Sequence, residues 1–410
     1  MSRWSWLGIA LIAIGALAAT PGLLLVGALL ILSSIVRTLW SRYGLRGLTY
    51  ERRLLRDRAT LGEEVELLVS AWNDKLLPLA WLEADDLVSE GLLVRERPVT
   101  RSDRPGFAAL RSTWTLAPFE RVTTHLHVSA DRRGVYRFGP VRLQVADLFG
   151  RDVAVRSDEI SDTLIVRPRS VPVRLATPEL APLGERRARF GLHPDPSLFA
   201  GVRPFQPGDP RRAVHWRATA RLGQPVSKRY EPATIRRTVI ALDVQTNEEP
   251  YWMMIYDEDA LESLVVATAS LARFILDDGG SVGLAANAWS GTLARTAWVA
   301  PASGLGQLPA VLDALARLSV FASSPFEVLL RDLTARLEPG TSVIVVSGHD
   351  PRPVLGLELR LVSSGFPVTH IALGARRTEW AEAARRAGVT ARMASLDRGW
   401  RDSTTLELAG

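Results

Sequence analysis

A three-part fold is predicted: an N-terminal transmembrane helical hairpin, an all-β sandwich and a doubly wound α/β domain. Three observations predict it. Trp4–Val36 is a nearly continuous apolar stretch, interrupted by Thr20-Pro21-Gly22 and Ser33-Ser34. From about Thr49 to Pro172 the pattern shortens to alternating apolar and polar runs. From Thr238 onward, buried-strand patterns alternate with helical ones, as layered α/β sheets require. At 410 residues the chain is too long for one ordinary core. The parts read as a hairpin over 1–45, a sandwich over 46–173, an Arg- and Trp-rich connecting region over 174–234 and an α/β domain over 235–410.

As one helix the apolar stretch would run roughly 46 Å, beyond a hydrocarbon core of about 30 Å. Pro21-Gly22 instead marks a break, leaving two spans, Trp4–Ala19 and Leu23–Trp40. Trp4, Trp6 and Trp40 are placed at the membrane interface, with Arg3, Arg37 and Arg42 beyond it. Positive flanks on both sides put both ends of the hairpin, and the soluble domains, in the cytoplasm of a bacterium, with residues 4–40 in contact with lipid. A secretory signal peptide ending at Ala16-Leu17-Ala18 is the competing reading. The second apolar run and Pro21 argue against it.

In the second part, Val65–Trp72, Ser112–Leu116, Val122–Val128 and Val141–Val145 read as half-buried strands. Turn clusters such as Trp72-Asn-Asp-Lys separate them, without a long amphipathic helix, and the spacing suggests an immunoglobulin-like sandwich. His125 and His127 share one strand face, with no third metal ligand close by, and read as ordinary strand polar residues.

The connecting region holds the most informative stretch, Phe199–Glu231. Pro207-Gly208-Asp209-Pro210 is turn chemistry. Arg211, Arg212, Arg217 and Arg221 follow at spacings that line one side of a short helix or arm, with Trp216 as the large ring among them. A segment so rich in Arg and Trp is expensive to order unless it docks, so it reads as a recognition surface or interdomain clamp, with Trp216 and Arg221 structural and Arg211 and Arg217 exposed.

Beyond it, Thr238–Val244, Ser281–Ala288, Ser342–Ser347 and Val368–Leu373 read as strands. Glu258–Leu276, Leu305–Leu318, Phe326–Leu337, Val354–Ser363 and Thr378–Ala387 read as helices.

Phe199, Arg203, Pro207, Gly208, Asp209, Arg212, Trp216, Ala220 and Arg221 together resemble the motif of the bacterial family called domain of unknown function fifty-eight. His215 departs from it, standing where that family usually has Asp. Arg133–Pro140 and Asp147–Gly150 resemble the family's upstream segment, and the apolar N-terminus also fits. The resemblance implies a von Willebrand factor A-like C-terminal domain. It also implies association with MoxR-type AAA+ ATPases, hence a scaffold or adaptor rather than an enzyme.

In von Willebrand A domains an Asp-x-Ser-x-Ser element binds a divalent cation through hard oxygen ligands. Here that element reads Asp243-Val-Gln245-Thr-Asn247, the loop Thr is missing, and Asp350 is displaced from its place beside Ser347. A degenerate site and no cofactor are expected. A metal-dependent adhesion-type receptor for an acidic ligand is the alternative.

Zero cysteines exclude disulfides, thiol nucleophiles and Cys-ligated metal. No Gly-x-Ser-x-Gly, His-Glu-x-x-His or P-loop motif occurs, and no catalytic residue is assigned. The net charge of +6 comes almost entirely from Arg. Arg186, Arg187, Arg189 and the motif arginines could meet phosphates, with Trp216 stacking on a base. A membrane anchor makes nucleic acid the last choice, after partner or interdomain docking and anionic lipid.

Overall fold

The computed structural model describes residues 3–147, 152–176, 194–206, 214–232, 236–290 and 296–410. The chain divides into two compact units, Met1–Arg167 and Pro168–Gly410, a division that falls ahead of the expected boundary at 173.

The first unit begins with two helices, α1 (Arg3–Leu17) and α2 (Pro21–Tyr43). The chain reverses through Ala18–Thr20, and Pro21 opens α2 in the first turn, where its missing N–H has no helical partner to lose. The break therefore falls just before Pro21, and Gly22 lies inside α2. Small residues let the helices meet closely: a Cβ on Gly8 would come within 2.9 Å of the Gly27 carbonyl oxygen. Ser5 Oγ and Ser34 Oγ share a hydrogen bond of 2.6 Å across the pair. Trp4, Trp6, Leu25 and Leu32 face outward. α2 is long and apolar enough to cross a membrane. α1, at 15 residues, extends about 22 Å, short of a core of about 30 Å. Trp40 is not at an interface. It is buried, within the core of the strands that follow.

Those strands are β1 (Leu48–Leu54), β2 (Arg58–Thr60), β3 (Val65–Asn73), β4 (Leu79–Ser89), β5 (Leu92–Val94), β6 (Thr100–Arg101), β7 (Phe107–Leu116), β8 (Arg121–Ala130), β9 (Gly134–Ala146), β10 (Asp152–Asp158) and β11 (Asp162–Arg167). One sheet runs β1-β3-β8-β5; the other runs β2-β11-β9-β4-β7-β6, with β10 against β9. Inward residues such as Leu67, Leu82, Leu126 and Leu143 fill the space between them. The four sequence-read strands are present as β3, β7, β8 and β9. β4 escapes the sequence pattern because Glu83, Asp85 and Asp86 dilute its apolar alternation. Asp86 is nevertheless buried, accepting from Tyr50 Oη at 2.9 Å and from Arg52. Arg52 also reaches Asp162 at 2.9 Å. Gly139, in the Arg133–Pro140 segment, has φ 91°, and a Cβ there would sit 1.8 Å from the Ile160 carbonyl oxygen, so glycine is obligatory. His125 and His127 bond different carboxylates, Glu66 and Glu96, each at 2.6 Å.

The second unit comprises β12 (Val173–Leu175), β13 (Pro194–Pro204), α3 (Trp216–Leu222), β14 (Val226–Pro232), β15 (Arg237–Leu242), α4 (Glu258–Asp277), β16 (Ser281–Ala286), β17 (Ala297–Ala302), α5 (Gln307–Arg317), α6 (Phe326–Arg336), β18 (Ser342–Ser347), α7 (Leu355–Ser363), β19 (Val368–Leu373), α8 (Arg377–Arg386), β20 (Thr390–Leu396), α9 (Gly399–Asp402) and β21 (Leu406–Ala409). The main sheet has the order β12-β21-β20-β19-β18-β15-β16-β17. Its centre, β16 to β20, is parallel, while β17 and β21 are antiparallel to their inner neighbours. β15, β16 and β18 are buried almost throughout, the signature of strands covered on both faces. Five helices stand close to their expected spans. β17, β20 and β21 are additions to the sequence reading, and β12 recruits part of the connecting region to the sheet edge.

Candidate functional site

In the main sheet the chain leaves β15 toward β16 on one side and leaves β18 toward β19 on the other. β15 and β18 are neighbours, so their outgoing loops diverge and open a crevice at the carboxyl ends of the strands. That is the place where open α/β sheets present their sites.

Asp243 stands there, buried, directly after β15. Its backbone N–H donates to the Val346 carbonyl at 2.9 Å, holding the β15 and β18 ends together. Its Oδ1 accepts from the Gln245 N–H at 3.0 Å and from Asn287 Nδ2 at 2.8 Å. Its Oδ2 accepts from His349 Nε2 at 2.7 Å. Asn287 is fixed in turn, because its Oδ1 accepts from the Val244 N–H at 2.9 Å. Burial alone would lower the His349 pKa. The Asp243 carboxylate, its hydrogen bond and the Asp350 neighbourhood outweigh that and hold it above the ordinary imidazole value.

The residues expected to form a degenerate cation cage do not converge on Asp243. Gln245 Nε2 donates to the carbonyls of Asn247 and Glu249 at 2.8 and 2.7 Å. Asn247 Nδ2 donates to the Ile255 carbonyl at 2.8 Å, and its Oδ1 accepts from the Glu249 N–H at 3.1 Å. Both amides brace the loop that follows β15. Asp350 binds Arg352, with Nε at 2.8 Å from Oδ2. A divalent ion at Asp243 would compete with donors already in place, two on Oδ1 and one on Oδ2.

A second polar cluster lies inside the same sheet. Ser347 Oγ is 3.0 Å from His370 Nε2, and His370 Nδ1 is 2.8 Å from Glu358 Oε1. The order of groups is that of a nucleophile, a base and an orienting carboxylate. Access is lacking: Ser347 is 2 % exposed, and His370 and Glu358 are fully enclosed. Leu264 packs on the adjoining Gly348, where a Cβ would meet its Cδ1 at 3.1 Å. Geometry makes this a tie between α7 and strands β18 and β19.

The Arg- and Trp-rich motif is built on a two-stranded sheet. β13 pairs with β14, setting Phe199 opposite Tyr230 and Arg203 opposite Ser227. Between these strands lies α3, whose N-cap is His215: its Nδ1 accepts from the Ala218 N–H at 3.1 Å. An Asp would cap the same turn through a carboxylate oxygen, so His215 preserves the local geometry with different chemistry. Gly223 closes α3 at φ 69°. Trp216 is 70 % exposed, and Arg217 and Arg221 are exposed with it. The expectation of a structural Trp216 and Arg221 is corrected: both project from the helix rather than into a core. Phe199, Arg203, His215, Trp216 and Arg221 thus belong to one small assembly. Pro207, Gly208, Asp209 and Arg212 lie outside the described residues.

Residues 201–336 match the family model "Protein of unknown function DUF58". The chain resembles DUF58. The match contains α3, Asp243 and Asn287 but ends before β18 and His349, and bears out the resemblance carried by the motif. The chain is also similar to the uncharacterized protein YeaD of Bacillus subtilis, 26 % identical over 245 residues. That alignment covers 59 % of this chain and 56 % of YeaD, so about half of the relative's length is spanned. Among solved structures, the chain is similar to the CARDB domain of the PF1109 protein from Pyrococcus furiosus, at 16 % identity and a TM-score of 0.19, covering 29 % of this chain and 86 % of that one. It is likewise similar to Spo0M, a sporulation control protein of Bacillus subtilis, at 15 % identity and a TM-score of 0.19, covering 30 % and 50 % respectively. Likenesses this slight carry no argument about function.

Reading the sequence missed His349, His370 and Glu358 as partners. Asp243 and His349 lie 106 positions apart, and no local pattern joins them. One signal was present: polar residues just beyond the ends of two buried parallel strands meet when those strands are neighbours.

Proposed function

We propose that this chain is a non-enzymatic, membrane-anchored adaptor that docks a protein partner. The helical pair carries the anchor, with both ends cytoplasmic and lipid around residues 4–40. The β-sandwich, immunoglobulin-like by strand spacing, and the α/β unit, von Willebrand factor A-like by the resemblance, form the cytoplasmic body. The exposed Trp216 on α3 carries this reading. A large aromatic ring flanked by Arg217 and Arg221, on a helix capped at both ends, is the composition of an interface anchor. The partner expected from the resemblance is a MoxR-type AAA+ ATPase. The metal-dependent receptor alternative is disfavoured by the donors that already occupy Asp243.

The test is retention of a purified MoxR-type ATPase by the full chain in nanodiscs. The parent should retain it. Trp216→Ala and Arg221→Ala should lose it while melting like the parent, because an exposed Arg contributes only about 0–1 kcal/mol to folding. A parent that retains no ATPase, or variants that retain it equally, would overturn the reading.

A further inference from the structure

The loop after β15 exposes a run of large apolar side chains. Trp252 is 66 % exposed, Met253 52 %, Met254 59 % and Ile255 56 %. The run is fixed in place. Gln245 and Asn247 bond its carbonyls at Glu249 and Ile255, and the Asp257 N–H donates to Thr246 Oγ1 at 2.8 Å. Tyr251–Met253 forms a single tight turn, and Tyr251 and Trp252 meet edge to face at 5.4 Å. Met254 holds φ 52°, a left-handed conformation unfavourable for a side chain of its size. Apolar surface held out on a braced frame, at the end of the sheet where the crevice opens, marks an interaction surface. Methionine and tryptophan supply adaptable and anchoring contacts respectively.

Charge decides the occupant. From Asp243 to Asp259 the chain carries six acidic residues and no Lys or Arg, within a chain of net charge +6. Glu248, Glu249, Asp257 and Asp259 are exposed on either side of the apolar run. Arg376, 3.7 Å from Glu248, offsets this at one rim. An anionic lipid surface would be repelled. We propose that Tyr251–Tyr256 is a docking surface for a protein segment presenting apolar side chains flanked by Lys or Arg. The surface is distinct from the α3 face. The ATPase assay above reads α3, so failure of either proposal leaves the other measurable.

The test uses the full chain in phosphatidylcholine nanodiscs and three fluorescent peptides: an amphipathic Leu/Lys helix, its Leu/Glu counterpart and a Lys/Ser peptide without an apolar face. The Leu/Lys peptide should bind, and the other two should bind far more weakly. Trp252→Ser with Met254→Ser should weaken the Leu/Lys peptide about tenfold or more, the effect of losing an interface anchor. Glu248→Gln with Glu249→Gln should weaken it too and flatten its salt dependence. Three results would overturn the proposal: equal Leu/Lys affinity in parent and both double variants, Leu/Glu binding as tight as Leu/Lys, or flotation of the parent but not the Trp252/Met254 variant with phosphatidylglycerol vesicles.

Discussion

Replacing His370 by leucine strips the Glu358 carboxylate of the 2.8 Å hydrogen bond at its Oε1. The other oxygen, Oε2, is already buried without a hydrogen-bond partner. The variant therefore leaves a fully enclosed carboxylate uncompensated, which costs about 3–5 kcal/mol. Glu358→Leu is the milder change, because it removes the carboxylate itself and leaves His370 Nδ1 short of one hydrogen-bond partner, costing about 1–3 kcal/mol. The double variant removes both polar groups and should cost less than the two single changes summed, since what is expensive is the orphaned partner. For a unit of this size each kcal/mol moves the melting temperature by about 2–4 °C, so His370→Leu should melt about 6–20 °C below the parent. Thermal unfolding by circular dichroism gives the ranking, and hydrogen exchange of the α7 amides shows whether the loosening starts there. Strict additivity, or a His370→Leu protein melting with the parent, would refute the argument that the pair is a mutually dependent tie.

Further outcomes follow from the same geometry. His349 is held above its ordinary pKa in the folded state, so the Asp243–His349 pair contributes fully below the unfolded imidazole value and its contribution is lost as pH rises through the folded value. Melting temperature should fall over that window in the parent, and His349→Gln should flatten the fall. Calorimetry with magnesium, manganese or calcium should show little heat; tight saturable binding that disappears in Asp243→Ala would reinstate the receptor reading. In the sandwich, Arg52→Met leaves Asp86 buried beside Tyr50 and should cost about 3–5 kcal/mol by urea unfolding, with Arg52→Met/Asp86→Leu recovering part of it. Reporter fusions at the two ends of the chain should both read cytoplasmic, and a periplasmic signal at either end contradicts the hairpin.

Much of the architecture was legible because it rests on local periodicity. The alternation in Val65–Trp72 and the unbroken apolar runs at Thr238–Val244 and Ser342–Ser347 announce half-buried and fully buried strands. Asp257 before Glu258–Leu276 announces a helix start through its cap. β4 was missed because its acidic residues dilute the apolar alternation, and β21 because four residues are too few to show a period. Gln245 and Asn247 were aligned with a degenerate cation site through the resemblance to von Willebrand A domains, yet side-chain direction turns them into braces for an apolar loop.

By itself the sequence determined the apolar N-terminal helices, the order of β and α/β parts and the Arg- and Trp-rich motif, all of which are encoded within a few residues of one another. Tertiary structure alone decided that Trp40 enters a core, that Trp216 stays out of one, and that Asp243 meets His349 rather than a set of open ligands. It also assembled Ser347, Glu358 and His370. The physical reason is that parallel strands distant in sequence are neighbours only once the sheet has formed. A carboxylate's hydrogen-bond partners, and hence its chemistry, are then set by strand order and register.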